Sequence, residues 1–179
     1  MANLDLLENS IPVAPLKLAA LPGSMEMAKK VDAYLVQFRK ELAERRNGVS
    51  FSGYSEDSFL IDCECPRFGS GEAKGKINES VRGADLYILV DVCNYSITYK
   101  VCGYENHMSP DDHYQDLKRM IAAANGKARR ITVIMPFLYE SRQHRRTARE
   151  SMDCALALQE LISMGVDNII TFDAHDPRV

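Results

Sequence analysis

No apolar run in the 179 residues approaches the length needed to cross a bilayer; Ile88-Leu89-Val90 ends at once on Asp91. A basic N-terminal start is missing, and Asp5 and Glu8 interrupt the first apolar stretch, which makes a poor secretion signal. Both absences argue against a membrane role. Cysteines are few and odd in number, five in all, and reduced thiols in a cytoplasmic protein are the simplest expectation. Neither Cys63 with Cys65 nor Cys102 with His107 and His113 reproduces the paired Cys-x-x-Cys framework of a closed zinc site. An excess of one charge is also lacking: 22 basic residues against 25 acidic give a net −3, so bulk electrostatics do not favour a nucleic-acid coat. Any anion site must come from local clustering of Arg and Lys. Internal repeats and low-complexity linkers are absent, which leaves one ordinary globular domain, 46% hydrophobic and 26% charged.

What is present alternates between strands and helices. Residues 1–15 read as a leader ending at Pro12 and Pro15, ahead of a domain over 16–179. Leu16 to Leu21 reads as a buried strand stopped by Pro22-Gly23. Ser24 is placed to cap a helix whose apolar face is Met27, Val31, Tyr34, Leu35, Phe38 and Leu42, closed by Asn47-Gly48. Short extended pieces such as Phe59-Leu60-Ile61 follow, then a strand over Asp85 to Val92. Residues 94–113 form a polar, Tyr-rich insertion without a clear period. A helix is expected from about Tyr114 to Ala124, ended by Asn125-Gly126, then a strand over Ile131 to Met135. An Arg-rich connection leads to a helix over roughly Ser151 to Met164 and a last strand over Asn168 to Phe172. The pattern predicts an α/β fold with a mainly parallel sheet flanked by helices, and ligands beyond the carboxyl ends of its strands.

Three clusters carry chemistry. Arg142-Gln143-His144-Arg145-Arg146, with Arg149, follows a strand; guanidinium groups bind phosphate oxygens through paired donors and stay charged when partly buried. The alternatives are a solvated run of charge at a helix start, or a single-stranded nucleic-acid contact, which would need more interleaved aromatics than Phe137 and Tyr139. Asp173-Ala174-His175-Asp176 offers a carboxylate and an imidazole two residues apart, either a metal-binding pair or a polar strand terminus. Arg67-Phe68-Gly69-Ser70-Gly71-Glu72, continuing to Gly83, is a glycine-rich segment whose backbone could approach a ligand, or a surface hairpin. It fails the Walker pattern, since Ser70 stands at the first Gly and Ile77 follows Lys76, and it fails the dinucleotide fingerprint at Lys74.

Taken in order, three blocks resemble the ribose-phosphate pyrophosphokinase family. They are Arg67 to Glu72 with Ile77-Asn78-Glu79-Ser80-Val81-Arg82-Gly83, then Pro136 with Arg142 to Arg146, then Asp173-Ala174-His175. The resemblance spans roughly residues 16–176, with 94–113 as its main gap. It implies the N-terminal domain of a type I phosphoribosyltransferase-like protein that transfers a diphosphoryl group from ATP to ribose 5-phosphate. By the same resemblance, Phe68 packs on adenine while Ser70, Gly71 and Glu72 contact the base edge from a neighbouring subunit of a homo-oligomer. Arg142 and Gln143 hold the nucleotide, Arg145 or Arg146 lies near its phosphates, and His175 is a ligand of Mg²⁺. Ser70 and His144 each stand where the family usually has Asp. The family's second domain, which carries most of the ribose 5-phosphate site, is absent from these residues, so little turnover is expected of them alone. The alternative is a non-catalytic regulatory or assembly partner of the same family.

Overall fold

The computed structural model describes residues 12–45, 55–124 and 126–176. Most of the expected leader, the Asn47-Gly48 helix stop, Asn125 and residues 177–179 lie outside the described residues. The elements run β1 (Leu16–Ala20), α1 (Met25–Arg45), β2 (Cys63–Glu64), β3 (Lys76–Ile77), β4 (Asp85–Leu89), β5 (Thr98–Val101) and β6 (Tyr104–His107). They continue with α2 (Pro110–Ala124), β7 (Arg130–Ile134), α3 (Asp153–Ser163) and β8 (Asn168–Ile170).

Four strands pair in parallel in the order β1-β4-β7-β8. Alternate side chains divide between two faces, as the two-residue strand period requires. Leu18, Ala20 and Leu89 pack with Ala28 and the half-buried Met25, Val31 and Leu35 of α1. Ala19, Leu86, Ile88, Ile131 and Val133 pack on the other face against α2 (Leu117, Met120, Ile121) and α3 (Cys154, Ala157, Leu161). The free edge of β1 takes an isolated parallel bridge to Leu60, with the Leu18 amide donating to Phe59 O (2.8 Å) and the Ile61 amide to Leu18 O (3.0 Å). The chain therefore adds the 59–61 segment on one side of β1 and β4 on the other. The reversal falls between β1 and β4, and ligands of open α/β sheets sit beyond the carboxyl ends of the strands at such a point.

Several local expectations are corrected. Tyr34 is exposed, not on the buried face of α1; the buried positions include Ala28, Asp32 and Leu42. Asp32 is buried because its carboxylate accepts the Phe59 amide (2.7 Å) and the Ser58 hydroxyl (2.8 Å), fixing the extra edge segment. Ser24 is buried before α1, and among the described residues its hydroxyl has no hydrogen-bond partner, so it does not cap the helix. α2 begins at Pro110 rather than near Tyr114. Pro occupies the first helical position, where no amide is needed, and Ser109 and Asp112 exchange hydrogen bonds (Ser109 amide to Asp112 at 2.9 Å, Asp112 amide to Ser109 Oγ at 3.2 Å). Within 94–113 lies a β-hairpin, β5 with β6, turned by Cys102-Gly103. Strands β4 and β8 end at Leu89 and Ile170, earlier than the apolar runs suggest.

Candidate functional site

Beyond β7 the chain runs through residues 136–152 without a helix until Asp153, so the arginine run does not lie at a helix start. Its base is zipped to the segment after β8. Pro136 O accepts the amides of Phe172 (3.1 Å) and Asp173 (2.9 Å), and the Leu138 amide donates to Asp173 O (3.0 Å). Further along, the buried Ser141 hydroxyl accepts the His175 amide at 3.3 Å. Residues 141–144 and 173–176 are thus neighbours by backbone pairing. Two polypeptide segments far apart in sequence share one rim of the sheet.

His144 sits between them. Its Nδ1 lies 3.1 Å from Ser141 O, and because a carbonyl only accepts, Nδ1 carries the proton. Its buried Nε2 lies 3.6 Å from Asp176 Oδ2, without a hydrogen bond, and its ring centroid is 6.2 Å from that of His175. Gln143 ties the loop to the start of α3: its side-chain amide donates to Ser151 O (2.8 Å) and its carbonyl accepts the Cys154 amide (3.3 Å).

The guanidinium groups of Arg142, Arg145, Arg146 and Arg149 are exposed and make no hydrogen bond or ion pair among the described residues. Arg67, Arg119 and Arg130, by contrast, are each paired to a carboxylate. Unpaired donors grouped on one loop leave their bidentate capacity for an anionic ligand. Arg142 lines a cavity of about 200 Å³ with Val92, Cys93, Phe137, Tyr139 and Ser141, which places it between the ends of β4 and β7. Burial and the Asp91 carboxylate push the Cys93 thiol up, while Arg142 pulls it down and Asp173 up again, so Cys93, Arg142 and Asp173 share one neighbourhood. Burial also raises the Glu140 carboxyl, helped by Asp153 and Asp111. Glu140 adopts a φ of +57°, the left-handed turn that brings the Gln143 amide onto its carbonyl at 2.9 Å.

Among the described residues no group of three or more His, Cys, Asp or Glu side chains is placed to hold a metal. His175 and Asp173 are both exposed on one short segment. That donor set suits a cation that keeps its waters and takes most oxygens from a bound phosphate, as Mg²⁺ does.

The glycine-rich cluster is a tight surface hairpin. Arg67 and Ala73 bridge, the Phe68 amide donates to Glu72 O (2.7 Å), the Gly71 amide donates to Phe68 O (2.9 Å), and Gly71 takes a φ of +91°. Phe68 stands 53% exposed at its tip, and the Ser70 hydroxyl donates to the Glu72 carboxylate at 2.9 Å. No hydrogen bond, ion pair or ring contact among the described residues joins Phe68, Ser70, Gly71 or Glu72 to Arg142, Arg145, Arg146 or His175. The structure brings the arginine cluster and the Asp173–Asp176 cluster of one chain together, and no such contact joins the glycine-rich cluster to them. Sequence reading missed Ser141, which carries no motif, and the exposed Phe172 beside it.

The sequence model for the N-terminal domain of ribose phosphate pyrophosphokinase matches residues 16–165. A ribose-phosphate pyrophosphokinase of Parasynechococcus marenigrum is 31% identical over 117 residues, covering 64% of this chain and 31% of that protein. One from Chlorobaculum tepidum is 28% identical over 167 residues, 92% of this chain and 41% of that protein. The crystal structure of phosphoribosylpyrophosphate synthetase from Mycobacterium smegmatis superposes with a TM-score of 0.63 at 24% identity, over 91% of this chain and 44% of that one. The chain thus spans less than half the length of these relatives, and its fold is type I phosphoribosyltransferase-like. With nearly all of its described length matched to one domain model, the chain belongs to the ribose-phosphate pyrophosphokinase family, as the N-terminal domain.

Proposed function

We propose that this chain supplies the nucleotide-binding half of a ribose-phosphate diphosphokinase, which converts ATP and ribose 5-phosphate into phosphoribosyl pyrophosphate and AMP. The anomeric hydroxyl attacks the β-phosphorus and loses its proton to solvent, the bond from that phosphorus to the α,β-bridging oxygen breaks, and AMP leaves with the negative charge. Such a transfer needs positioning and charge neutralisation more than covalent help. The observation that carries the reading is the unpaired Arg142, Arg145 and Arg146 on a loop zipped by backbone pairing to the segment bearing His175.

In this reading Arg142, Arg145 and Arg146 bind the polyphosphate, and Gln143 acts through its grip on Ser151, which holds the arginine loop against α3. His175 would hold Mg²⁺, with Asp173 beside it; the bound ion supplies charge neutralisation on the phosphate oxygens. Phe68, exposed on its hairpin and without a hydrogen bond, ion pair or ring contact to the arginine loop among the described residues, stacks on the adenine bound by a neighbouring copy, with Ser70, Gly71 and Glu72 at the base edge. The site is therefore shared in a cytoplasmic homo-oligomer. In this reading the ribose 5-phosphate contacts come mostly from the family's second domain.

Titration calorimetry with Mg-ATP tests it. Arg142→Ala and His175→Ala should each weaken binding by about tenfold or more, the loss of one charge-assisted contact. Unchanged affinity in both variants would transfer the case to the non-catalytic assembly reading. The engagement of the Gln143 amide within its own loop favours that second reading, since it leaves one fewer donor for nucleotide.

A further inference from the structure

The Phe68 hairpin contains Gly69 and Gly71, and glycine loses the most conformational freedom on ordering. A segment of this composition needs outside support to hold an aromatic ring in place. The support comes from β5 and the turn that follows it. The Arg67 guanidinium donates to Asp116 (2.7 Å) and to Gly71 O (3.1 Å), and the Tyr99 ring of β5 covers it, with the guanidinium carbon 4.4 Å from the ring centroid. The Tyr99 hydroxyl in turn donates to Asp112 of α2 at 3.2 Å, so the ring is held at both ends. Val101 packs on Gly71 closely enough that a Cβ added there would lie 2.8 Å from its Cγ2. The Cys102 amide donates to Gly69 O at 2.8 Å.

The turn that presents this amide is Cys102-Gly103, with φ values of +50° and +87°. A two-residue hairpin of matching twist requires positive φ at both positions, and a side chain such as Cys is rarely found there. The unfavourable backbone at Cys102 is retained where its N–H meets the Phe68 hairpin. The contacts that Tyr99, Val101 and Cys102 make to the Phe68 hairpin fall on Arg67, Gly69 and Gly71, the segment carrying the exposed ring.

We propose that the β5–β6 hairpin is a positioning device that preorganises Phe68 for a planar base, with Tyr99 as its central residue. The proposal rests on the nucleotide reading above and adds a division of labour: the hairpin governs affinity for the base, and the arginine loop governs affinity for the phosphates. Preorganisation raises affinity by removing the ordering cost from the binding step. Tyr99 and Val101 act through Arg67 and Gly71, without touching the ligand.

The test uses the intact protein with two probes, Mg-ATP and Mg-tripolyphosphate, and amide hydrogen exchange at Gly71 and Cys102. Tyr99→Ala should speed exchange at both amides about tenfold and weaken Mg-ATP by about tenfold, with Mg-tripolyphosphate affinity unchanged. Tyr99→Phe keeps the ring over Arg67 and should restore most of both. Val101→Ala, an independent lesion of the same brace, should move both readouts in the direction of Tyr99→Ala. Equal weakening of the two probes in Tyr99→Ala and Val101→Ala would mean general structural damage and would overturn the proposal, as would unchanged exchange or unchanged Mg-ATP affinity. Wild-type protein that binds neither probe would sink the nucleotide reading and this inference together; wild-type binding matched by Tyr99→Ala sinks the inference alone.

Discussion

Gly75 stands between the Phe68 hairpin and β3, and it touches backbone. A Cβ built on it would lie 2.3 Å from Arg119 O, 2.5 Å from Arg119 C and 3.0 Å from Met120 N. The neighbours are main-chain atoms of α2, and α2 is anchored by Met120 and Ile121, both fully buried, so no flexible side chain can yield. Gly75→Ala must therefore drive the two segments apart by roughly 1 Å, an overpacking lesion at the upper end of about 1–3 kcal/mol. For a chain of this size that loss lowers Tm by roughly 5–10 °C. Because β2 and β3 pair through only two residues each, the outer ribbon moves and carries the Phe68 hairpin with it. Gly69→Ala is the matched control: nothing lies within 4 Å of its Cβ position and its φ is not positive, so its effect should stay within about 0.5 kcal/mol. Differential scanning calorimetry or urea unfolding of the two variants decides the matter. Equal stability of Gly75→Ala and Gly69→Ala would refute the close approach to α2.

Asp32→Ala removes the acceptor for the Phe59 amide and the Ser58 hydroxyl, leaving a buried N–H unpaired; a loss of about 1–3 kcal/mol should show as a lower urea midpoint. An unchanged midpoint would mean that the 59–61 edge does not depend on this carboxylate. Burial, with the Asp116 carboxylate next, pushes the Cys65 thiol up to about 12. In native protein at pH 9, iodoacetamide should label the exposed Cys93 and Cys102 well before Cys65, read by peptide mass spectrometry. The raised value also fixes a sign: the contribution of Cys65 to stability is complete below its unfolded value of about 8.5 and is lost as pH rises toward 12. Labelling of Cys65 as fast as Cys102 would contradict its burial.

The strands were legible because they are short apolar runs bounded by Pro, Gly and Asp, and a parallel sheet buried on both faces needs such runs. Leu18 and Ala19, adjacent in sequence, face different cores, which an unbroken apolar run permits. The face of α1 was read imperfectly. Tyr34 fits the helical period yet is exposed, whereas Asp32 is buried, since a charged residue enters the interior only with partners that lie 26 and 27 positions away. The β5–β6 hairpin was invisible, because Thr98 to Val101 and Tyr104 to His107 carry no strong apolar alternation and their pairing is held by contacts to residues 67–71 and 112. The glycines after Arg67 were read as places for a ligand to approach; Gly75 instead admits the backbone of α2.

By itself the sequence determined the α/β class, the order of the parallel-sheet strands and the helices between them, and the residue types that bind phosphate, since apolar periodicity and guanidinium chemistry are local properties. Only tertiary structure decided which of those residues meet. The Arg142 loop and His175 are joined through Pro136, Ser141 and Asp173 because β7 and β8 are adjacent and parallel, so their carboxyl ends open on the same rim. The Phe68 hairpin is tied instead to β5 and its turn by contacts that are non-local, and non-local contacts leave no period in the chain.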